Sequence, residues 1–258
     1  MNTKPSLAEL LEARAELDRT FASKLRKSIL QEAIEGRLVP QDPNDEPASV
    51  LLNRIREEKK RLVKEGKLKK KDLEEKPISE EEIPFEIPES WEWCKLGSIA
   101  TLIGGFAFKS HEYTSTGSRV IRISDITEEG FINKNVVRYP YNERLKPYVI
   151  NRGDILMAMT GGTVGKSLYV RTLPEESMLL NQRVANIRVN TVLTDYIDYV
   201  IKSQHIQSII TDAKNSTNDN ISMADIYSFP ISLPPLAEQH RIVEKIEQLF
   251  KEIDKLKP

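Results

Sequence analysis

The sequence predicts an α+β protein, in which one domain with a mixed sheet is flanked by N- and C-terminal helices that form a coiled coil or helical spacer. Three observations support this fold class. Apolar residues recur at helical intervals in the N-terminal part of the 258-residue chain, and again after residue 233. Between these parts, short β-type runs alternate with turns rich in Gly, Asn and Asp.

A long helix is predicted to open the N-terminal helical region, residues 1–83. Ser6 followed by Glu9 matches a capping box, in which the hydroxyl and the carboxylate satisfy free backbone N–H groups. Gly36 is a suitable C-terminal cap, and Pro40 prevents further helix. Apolar residues recur between these signals at roughly helical spacing, at Leu7, Leu10, Leu11, Leu17, Phe21, Leu25 and Ile29.

A second helix is predicted from Ala48 to about Lys71. It has few apolar positions and many charged ones, which is typical of a solvated helix followed by a tether. The dipeptides Ile83-Pro84 and Ile87-Pro88 favour extended backbone. They therefore place the boundary of the next domain near residue 84.

The central domain is predicted to span residues 84–232. One amphipathic helix is expected from Thr194 to about Thr211, with Ile197, Val200 and Ile201 on its apolar side. Turns rich in Gly, Asn and Asp separate several short β-type runs, at residues 119–123, 136–137, 154–157, 168–170 and 184–189.

The last region, residues 233–258, is predicted to be one helix that begins after two prolines. Its apolar residues follow the alternating spacing of four and three that is typical of a coiled-coil seam. Because the stripe is short, a buried amphipathic helix in a bundle is an open alternative. Either arrangement needs a partner helix, for which the N-terminal helix of the same chain or of a second chain is the natural candidate. The residues expected at this helix pairing are Leu10, Leu17, Phe21, Leu25, Ile242, Ile246, Leu249 and Ile253.

Composition excludes several classes of protein. With 39% hydrophobic and 30% charged residues, and no apolar run near the roughly 20 residues of a membrane span, no membrane association is expected. Cys94 is the only cysteine in the sequence, which indicates a reducing cytoplasm, and the histidines have no metal-ligand spacing. A formal net charge of −1 excludes indiscriminate electrostatic attraction of the whole chain to nucleic acid.

The sequence also lacks catalytic motifs. Residues 160–167 (TGGTVGKS) resemble a phosphate-binding P-loop, but that motif requires a glycine where Thr160 stands. The glycines are expected instead to form a turn between strands, with Lys166 near its rim. The sequence has no Asn/Asp-Pro-Pro-aromatic loop of an adenine methyltransferase, no carboxylate cluster typical of a nuclease outside a charged linker, and no serine nucleophile motif.

Several segments, taken together, resemble the specificity subunits of type I restriction–modification systems across almost the full length of the chain. Each segment alone is a weak signal, but the combination is specific. The matching segments are residues 25–38 (LRKSILQEAIEGRL), 87–93 (IPESWEW), 96–97 (LG), 104–109 (GGFAFK), 152–156 (RGDIL), 160–166 (TGGTVGK) and 231–242 (ISLPPLAEQHRI).

This resemblance implies a non-catalytic DNA-binding subunit whose central domain is a target recognition domain. It implies separate methyltransferase and restriction subunits that carry AdoMet, ATP and Mg²⁺, and no cofactor in this chain. Family members typically have two recognition domains, whereas this sequence has one, between two spacer segments. The chain is therefore expected to act as a half-length form that pairs with a second copy or a second specificity half. Such a two-fold dimer would recognise a symmetric, bipartite site.

Side chains that contact DNA are expected at turns beside strands, because loops carry recognition surfaces. Arg, Lys, Asn and Gln read base edges, whereas Lys, Arg and hydroxyl groups bind phosphates. Asn181, Gln182 and Arg183 are favoured because all three can form bidentate contacts. The candidates are Lys109, Ser110, Arg119, Arg122, Ser124, Lys166, Asn181, Gln182, Arg183, Asn218 and Asn220.

Two other functions are left open by the sequence. The chain would be a helical protein-interaction adaptor if its α+β domain did not bind DNA. It would be a nucleotide-dependent enzyme if the glycine turn bound a phosphate. Salt-sensitive binding to duplex DNA distinguishes the specificity subunit from both alternatives.

Overall fold

The computed structural model describes residues 6–68, 73, 77–174, 177–189, 191–216 and 219–255. Within these ranges the helices and strands have the following order and bounds: α1 Leu7–Ile34, α2 Ala48–Lys64, β1 Glu92–Lys95, α3 Leu96–Ile99, β2 Ala100–Gly104, β3 Ser118–Ile121, β4 Val137–Tyr139, β5 Asp154–Ala158, β6 Ser167–Tyr169, β7 Met178–Leu180, β8 Val184–Val189, α4 Thr194–Lys202, α5 Gln204–Ser216, α6 Met223–Tyr227, β9 Pro230–Leu233 and α7 Leu236–Lys255.

The two N-terminal helices begin and end for local reasons. The predicted capping box is confirmed, because the Ser6 N–H donates to Glu9 Oε2 at 2.6 Å and the Glu9 N–H donates to Ser6 Oγ at 3.3 Å. Gly36 follows α1 with a φ of +72°, a left-handed conformation that glycine adopts without strain. Gly66 has a φ of +71° in the same position after α2. The predicted extension of α2 to about Lys71 is therefore wrong, because the helix ends at Lys64.

The strands of the described residues form three sheets, and the α+β fold class is confirmed. β2, β8, β5 and β6 form an antiparallel four-stranded sheet in that order. In the three-stranded sheet β4-β3-β7, β3 pairs antiparallel with β4 and parallel with β7, so this sheet is the mixed one. β1 and β9 form an antiparallel pair, which brings residues near both predicted boundaries of the central domain together.

Strand β5 is buried along its whole length because both faces of the four-stranded sheet are covered. Ile155 and Met157 belong to a core shared with the helices, whereas Leu156 and Ala158 belong to a second core under β3 and β7. This division follows the alternation of side chains along a strand. A strand buried on both faces reads as a continuous apolar run, as residues 155–158 do.

The helix predicted from Thr194 to Thr211 is two helices. Ser203 has φ −63° and ψ 154°, which is extended backbone, and it separates α4 from α5. Ile197 and Val200 in α4 and Ile206 and Ile210 in α5 are buried in the same core. The apolar spacing continues across the break, so periodicity alone did not reveal it.

The seam of α7 packs within its own chain. Ile242, Ile246 and Ile253 are buried, and Leu249 packs against the same core together with Leu25 of α1. The pairing of α1 with α7 is fixed at its edge by Arg26, which donates to Asp254 Oδ1 at 2.7 Å and lies over the Phe250 ring. Of the two partners considered for this stripe, the α1 helix of the same chain is the one observed.

The first half of α1 has a different environment. Leu7, Leu10, Leu17 and Phe21 are exposed by 74%, 53%, 67% and 57% of their surface. Contiguous exposed apolar patches are typical of interaction surfaces.

The entry of α7 is joined to the N-terminal region by a buried carboxylate. Glu238 accepts hydrogen bonds from Trp91 Nε1 at 2.9 Å and from Gln41 Nε2 at 2.6 Å. Burial raises the pKa of Glu238, and these two hydrogen bonds partly offset that effect. Arg241 extends the junction by donating to Asp45 at 2.5 Å. Glu238 thus ties the loop after α1 and the start of the central domain to α7.

A second buried carboxylate orders the four-stranded sheet. Asp154 Oδ1 accepts from Arg188 Nε at 2.7 Å, and Asp154 Oδ2 accepts from Arg188 Nη2 at 2.8 Å and Asn186 Nδ2 at 2.6 Å. The backbone N–H of Asn151 also donates to Asp154 at 2.8 Å. Because the carboxylate is buried and fully hydrogen-bonded, it fixes the register of β5 against β8.

Replacing Asp154 by Ala is expected to destabilise the fold by about 3–5 kcal/mol, because it leaves the half-buried Arg188 guanidinium without its carboxylate. Glu46→Ala is the control, since Glu46 and Arg54 form an ion pair that is exposed on both sides, and such surface pairs contribute about 1 kcal/mol or less. Urea unfolding of both variants measures the difference. Equal losses in the two variants would contradict the ordering role of Asp154.

Replacing Glu238 by Gln is expected to change the pH dependence of stability. Because the pKa of Glu238 is raised on folding, the folded chain holds the proton more tightly than the unfolded chain. The contribution of Glu238 to the free energy of unfolding is therefore greatest below the ordinary pKa of glutamate and decreases as the pH rises through the raised pKa. Urea unfolding over a pH series should show this decrease in the parent chain relative to Glu238→Gln. A stability difference that does not vary with pH would contradict the raised pKa.

Candidate nucleic-acid interface

The β5–β6 and β7–β8 turns meet at the end of the four-stranded sheet opposite Asp154. In the β5–β8 register, Asp154 lies opposite Arg188 at one end and Ala158 lies opposite Val184 at the other. The β5–β6 turn and the β7–β8 turn both leave from this second end. The backbone N–H of Met159 donates to the Arg183 carbonyl at 2.9 Å and joins the two turns.

The glycine-rich β5–β6 turn is a tight connection between strands, as the sequence predicted. A 3-10 turn at Gly161–Thr163 leads into strand β6 rather than into the helix that follows a P-loop. Gly165 has a φ of +81°, and a Cβ there would lie 2.5 Å from Ile210 Cγ2, so any other residue would be strained and would displace Ile210. The Lys166 side chain is exposed beside this packed turn.

A third segment, residues 219–220, packs against the glycine turn. The Gly161 N–H donates to the Asp219 carbonyl at 2.8 Å, and the Ile221 N–H donates to the Met159 carbonyl at 2.9 Å. These bonds hold the exposed Asn220 beside Thr160. Asn218, the other candidate of this loop, lies outside the described residues.

We name residues 159–166, 181–183 and 219–220 the turn cluster. Its exposed polar side chains include Lys166, Gln182, Arg183 and Asn220. Asn181 is half-buried, and its Oδ1 accepts from the Arg183 N–H at 3.2 Å, so it shapes the turn. The turn cluster therefore carries exposed amide, guanidinium and ammonium groups on three segments that are joined by backbone hydrogen bonds. These groups hydrogen-bond to base edges and phosphates.

Arg122 and Ser124 lie next to the turn cluster. Because strands β3 and β7 are parallel, the C-terminal ends of both strands lie at the same edge of the sheet. There the Asn181 N–H donates to the Ile121 carbonyl at 3.1 Å. Arg122 donates to both carboxylate oxygens of Asp125 at 2.8 and 2.9 Å and to the Asn135 carbonyl at 2.8 Å. The Asp125 hydrogen bonds raise the pKa of Arg122, despite partial burial. Ser124 is exposed, and its hydroxyl lies 3.1 Å from Asp125 Oδ1.

The prediction that Arg119 contacts DNA is wrong, because this side chain is only 2% exposed. It donates to Asn133 Oδ1 at 2.8 Å and to the Ile132 carbonyl at 2.7 Å, and its guanidinium lies over the Phe131 ring. The side chain therefore holds residues 131–133 against β3 and is not on the surface. A basic residue in a sequence does not reveal its burial, which explains the error.

Lys109 and Ser110 belong to a different segment of the chain. Both are exposed at the start of a 3-10 turn, and Lys109 Nζ lies 3.7 Å from Glu112. Lys109 is the last residue of the segment 104–109, which crosses from β2 to the β7–β8 turn, and Ser110 follows it. The sequence did not single out Asp219 or Met159, because each acts through a backbone atom that leaves no sequence signal.

Two features of other functional classes, a metal-binding group and a membrane span, are absent from the part of the chain that the structure describes. No group of three or more His, Cys, Asp or Glu residues there has the geometry to hold a metal ion. None of the helices in those ranges combines the length and hydropathy needed to cross a bilayer.

The fold and the turn cluster define a class of protein: an α+β recognition domain that presents hydrogen-bonding turns and is built onto paired helices. The family comparison agrees with this class. The chain belongs to the family described as the type I restriction modification DNA specificity domain, whose model matches residues 88–258. The match covers the central domain and α7.

Two relatives from Escherichia coli have similar sequences. The type I restriction enzyme EcoAI specificity subunit is 40% identical over 241 residues, which is 90% of this chain and 40% of the relative. The type I restriction enzyme EcoEI specificity subunit is 34% identical over 245 residues, 90% of this chain and 41% of the relative. The chain thus spans about two fifths of the length of these relatives.

Solved structures with low sequence identity share the fold. The HsdS subunit from Thermoanaerobacter tengcongensis matches with a TM-score of 0.52 and 17% identity, over 95% of this chain and 50% of that one. A chain from work on complex assembly and conformational transition of the type I R-M system matches with a TM-score of 0.55 and 16% identity, over 98% of this chain and 54% of that one.

Proposed function

We propose that this chain is a non-catalytic, sequence-specific DNA-binding specificity subunit of a type I restriction–modification complex. The observation that carries the proposal is the turn cluster, in which three separate segments joined by backbone hydrogen bonds carry exposed amide, guanidinium and ammonium groups. The family membership and the relatives described as specificity subunits support the same conclusion.

Within this function, the contacts divide by side-chain chemistry. Gln182, Arg183 and Asn220 are proposed to read base edges, since amides and guanidinium groups form bidentate hydrogen bonds with adenine and guanine. Lys166, Lys109 and Ser110 are proposed to bind phosphates, which position the duplex without specifying its sequence. Smaller contributions to DNA binding are proposed for Asn181, Arg122 and Ser124, because each already makes a hydrogen bond within the chain.

The exposed first half of α1 is proposed to pair with a second copy of the chain or with a second specificity half. The C-terminal half of α1 is already covered by α7, whereas Leu7, Leu10, Leu17 and Phe21 have no such cover. A two-fold pair would present two turn clusters and recognise a symmetric, bipartite site. The 28 residues of α1 span about 42 Å, or on the order of 12 base pairs, which sets the scale of the half-site separation.

The remaining partners are proposed to supply the chemistry. A methyltransferase subunit would bring AdoMet, and a restriction subunit would bring ATP and Mg²⁺, so that this chain directs both in the cytoplasm. Cys94, the single cysteine of the sequence, is buried and forms no disulfide, which is compatible with a reducing compartment.

Replacing Arg183 by Ala is expected to weaken binding to the target duplex by about 1–3 kcal/mol, because one bidentate base contact is lost. The exposed side chain contributes little to folding, so the free energy of unfolding should change by about 0.5 kcal/mol or less. Lys166→Ala is the matched control. It is expected to weaken binding to all sequences and to lower the slope of log affinity against log salt by about 0.9, the value for one phosphate contact.

The measurement uses the full chain co-expressed with its methyltransferase, with the target first identified by mapping methylated adenines. Fluorescence anisotropy then compares target and scrambled duplexes across a salt series. Absence of any DNA response would favour the protein-interaction adaptor, and ATP turnover by the purified chain would favour the nucleotide-dependent enzyme. Equal losses on both duplexes for Arg183→Ala would contradict base reading by this residue.

A double variant, Leu17→Asp with Phe21→Asp, is expected to convert the dimer to a monomer, because two charges would replace apolar side chains in the proposed interface. Ser28→Asp, an exposed polar position on the same helix, is the control and should leave the dimer intact. Analytical ultracentrifugation measures the outcome. A parent chain that is already monomeric at all accessible concentrations, or a methylated site without two-fold symmetry, would contradict pairing of two identical copies.

A further inference from the structure

Residues 104–109 (GGFAFK), which we name the glycine–aromatic segment, make close contact with the β7–β8 turn. The Phe106 N–H donates to the Leu180 carbonyl at 2.8 Å, and the Gln182 N–H donates to the Phe106 carbonyl at 2.9 Å. These two bonds lie on either side of Asn181. The segment therefore clamps the backbone from which Asn181, Gln182 and Arg183 project.

Gly105 is required at this clamp because of close approach. A Cβ at this position would lie 2.1 Å from the Asn181 carbonyl oxygen, 2.2 Å from its carbonyl carbon and 2.7 Å from the Leu180 carbonyl oxygen. All three are backbone atoms, which have no rotamer that relieves the clash. Any side chain at Gly105 must therefore push the β7–β8 turn away from its position.

Aromatic rings brace the other side of the segment. Phe106 packs against Phe108 with ring centroids 5.0 Å apart and against Tyr148 at 5.3 Å, and Phe108 packs against Tyr139 at 4.9 Å. Edge-to-face and tilted contacts of this kind favour defined ring orientations. Tyr139 belongs to β4 and also hydrogen-bonds Glu112, so the brace is anchored to the three-stranded sheet.

We propose that the glycine–aromatic segment is a positioning element that sets the sequence discrimination of the β7–β8 turn, an inference that rests on the proposed DNA-binding function. Bidentate base contacts demand that donors be held to within a fraction of an ångström, whereas attraction to phosphates tolerates displacement. Moving the turn should therefore reduce discrimination between DNA sequences while leaving general DNA affinity in place. Gly105 and Phe106 are positioning residues in this scheme, and they act through Gln182 and Arg183.

Two adjacent glycines provide a matched test. Gly105→Ala introduces the clash with Asn181, whereas a Cβ at Gly104 meets no atom within 4 Å, so Gly104→Ala is the control. Affinities for the methylation-mapped target duplex and for a scrambled duplex are measured with the full chain bound to its methyltransferase, across a salt series. Gly105→Ala should lower the ratio of target to scrambled affinity roughly tenfold or more, the order of one lost bidentate contact. Scrambled-duplex affinity and salt dependence should stay within about twofold, because the phosphate contacts remain.

Each outcome has a defined meaning. If the parent complex shows no preference for its target, the proposed function fails before this inference is tested. If the parent discriminates and Gly105→Ala discriminates equally well, the positioning role is overturned. A parallel loss on both duplexes also overturns it, since it would show a general structural role. If Gly105→Ala does not fold, Phe108→Ala replaces it, because this change removes the outer aromatic contact without a backbone clash. A lower ratio of target to scrambled affinity in Phe108→Ala would then support the positioning role, and an unchanged ratio would overturn it.

Discussion

The pairing of β5 with β8 is the constraint on which the rest of the molecule depends. Both strands are buried, and Asp154 locks one end of their register through Arg188 and Asn186. Once that end is fixed, the turns that leave the opposite end have little freedom to shift. The position of the turn cluster therefore depends on the β5–β8 register, which Asp154 holds at the far end of the sheet, as well as on the backbone hydrogen bonds that join its three segments.

The helices depend on a comparable constraint at Glu238. This buried side chain accepts hydrogen bonds from the loop after α1 and from Trp91 at the start of the central domain, while it belongs to α7. The direction of α1 relative to the turn cluster is thus set by hydrogen bonds as well as by apolar packing. The proposed role of α1 in setting the separation of two recognition surfaces requires such an attachment, since a hinge would make that separation variable.

Sequence reasoning located the elements that local signals determine. The capping box at Ser6, strands β5 and β8 and the glycine turn before Lys166 were all predicted, because each depends on residues close together in the chain. Strands β2 and β7 and the pair β1–β9 were missed, since short strands of three to five residues carry little periodicity. The burial of Arg119 and the contact of Gly105 with Asn181 were missed for a different reason. Both are set by tertiary neighbours that the local sequence does not contain.

The net charge of −1 explains why geometry has such a large role in this protein. A strongly basic chain would bind any duplex through phosphates, and base contacts would add only a modest preference. In the proposed function, general attraction to DNA would be weak, so selectivity would come from hydrogen bonds held in fixed positions. One turn cluster offers few of these, and a single half-site would give low affinity. The proposed pairing of two such surfaces through α1 would make the second contact effectively intramolecular and would raise affinity without adding charge. Pairing of the helices and fixed geometry of the turns would then be two parts of one solution to the same energetic problem.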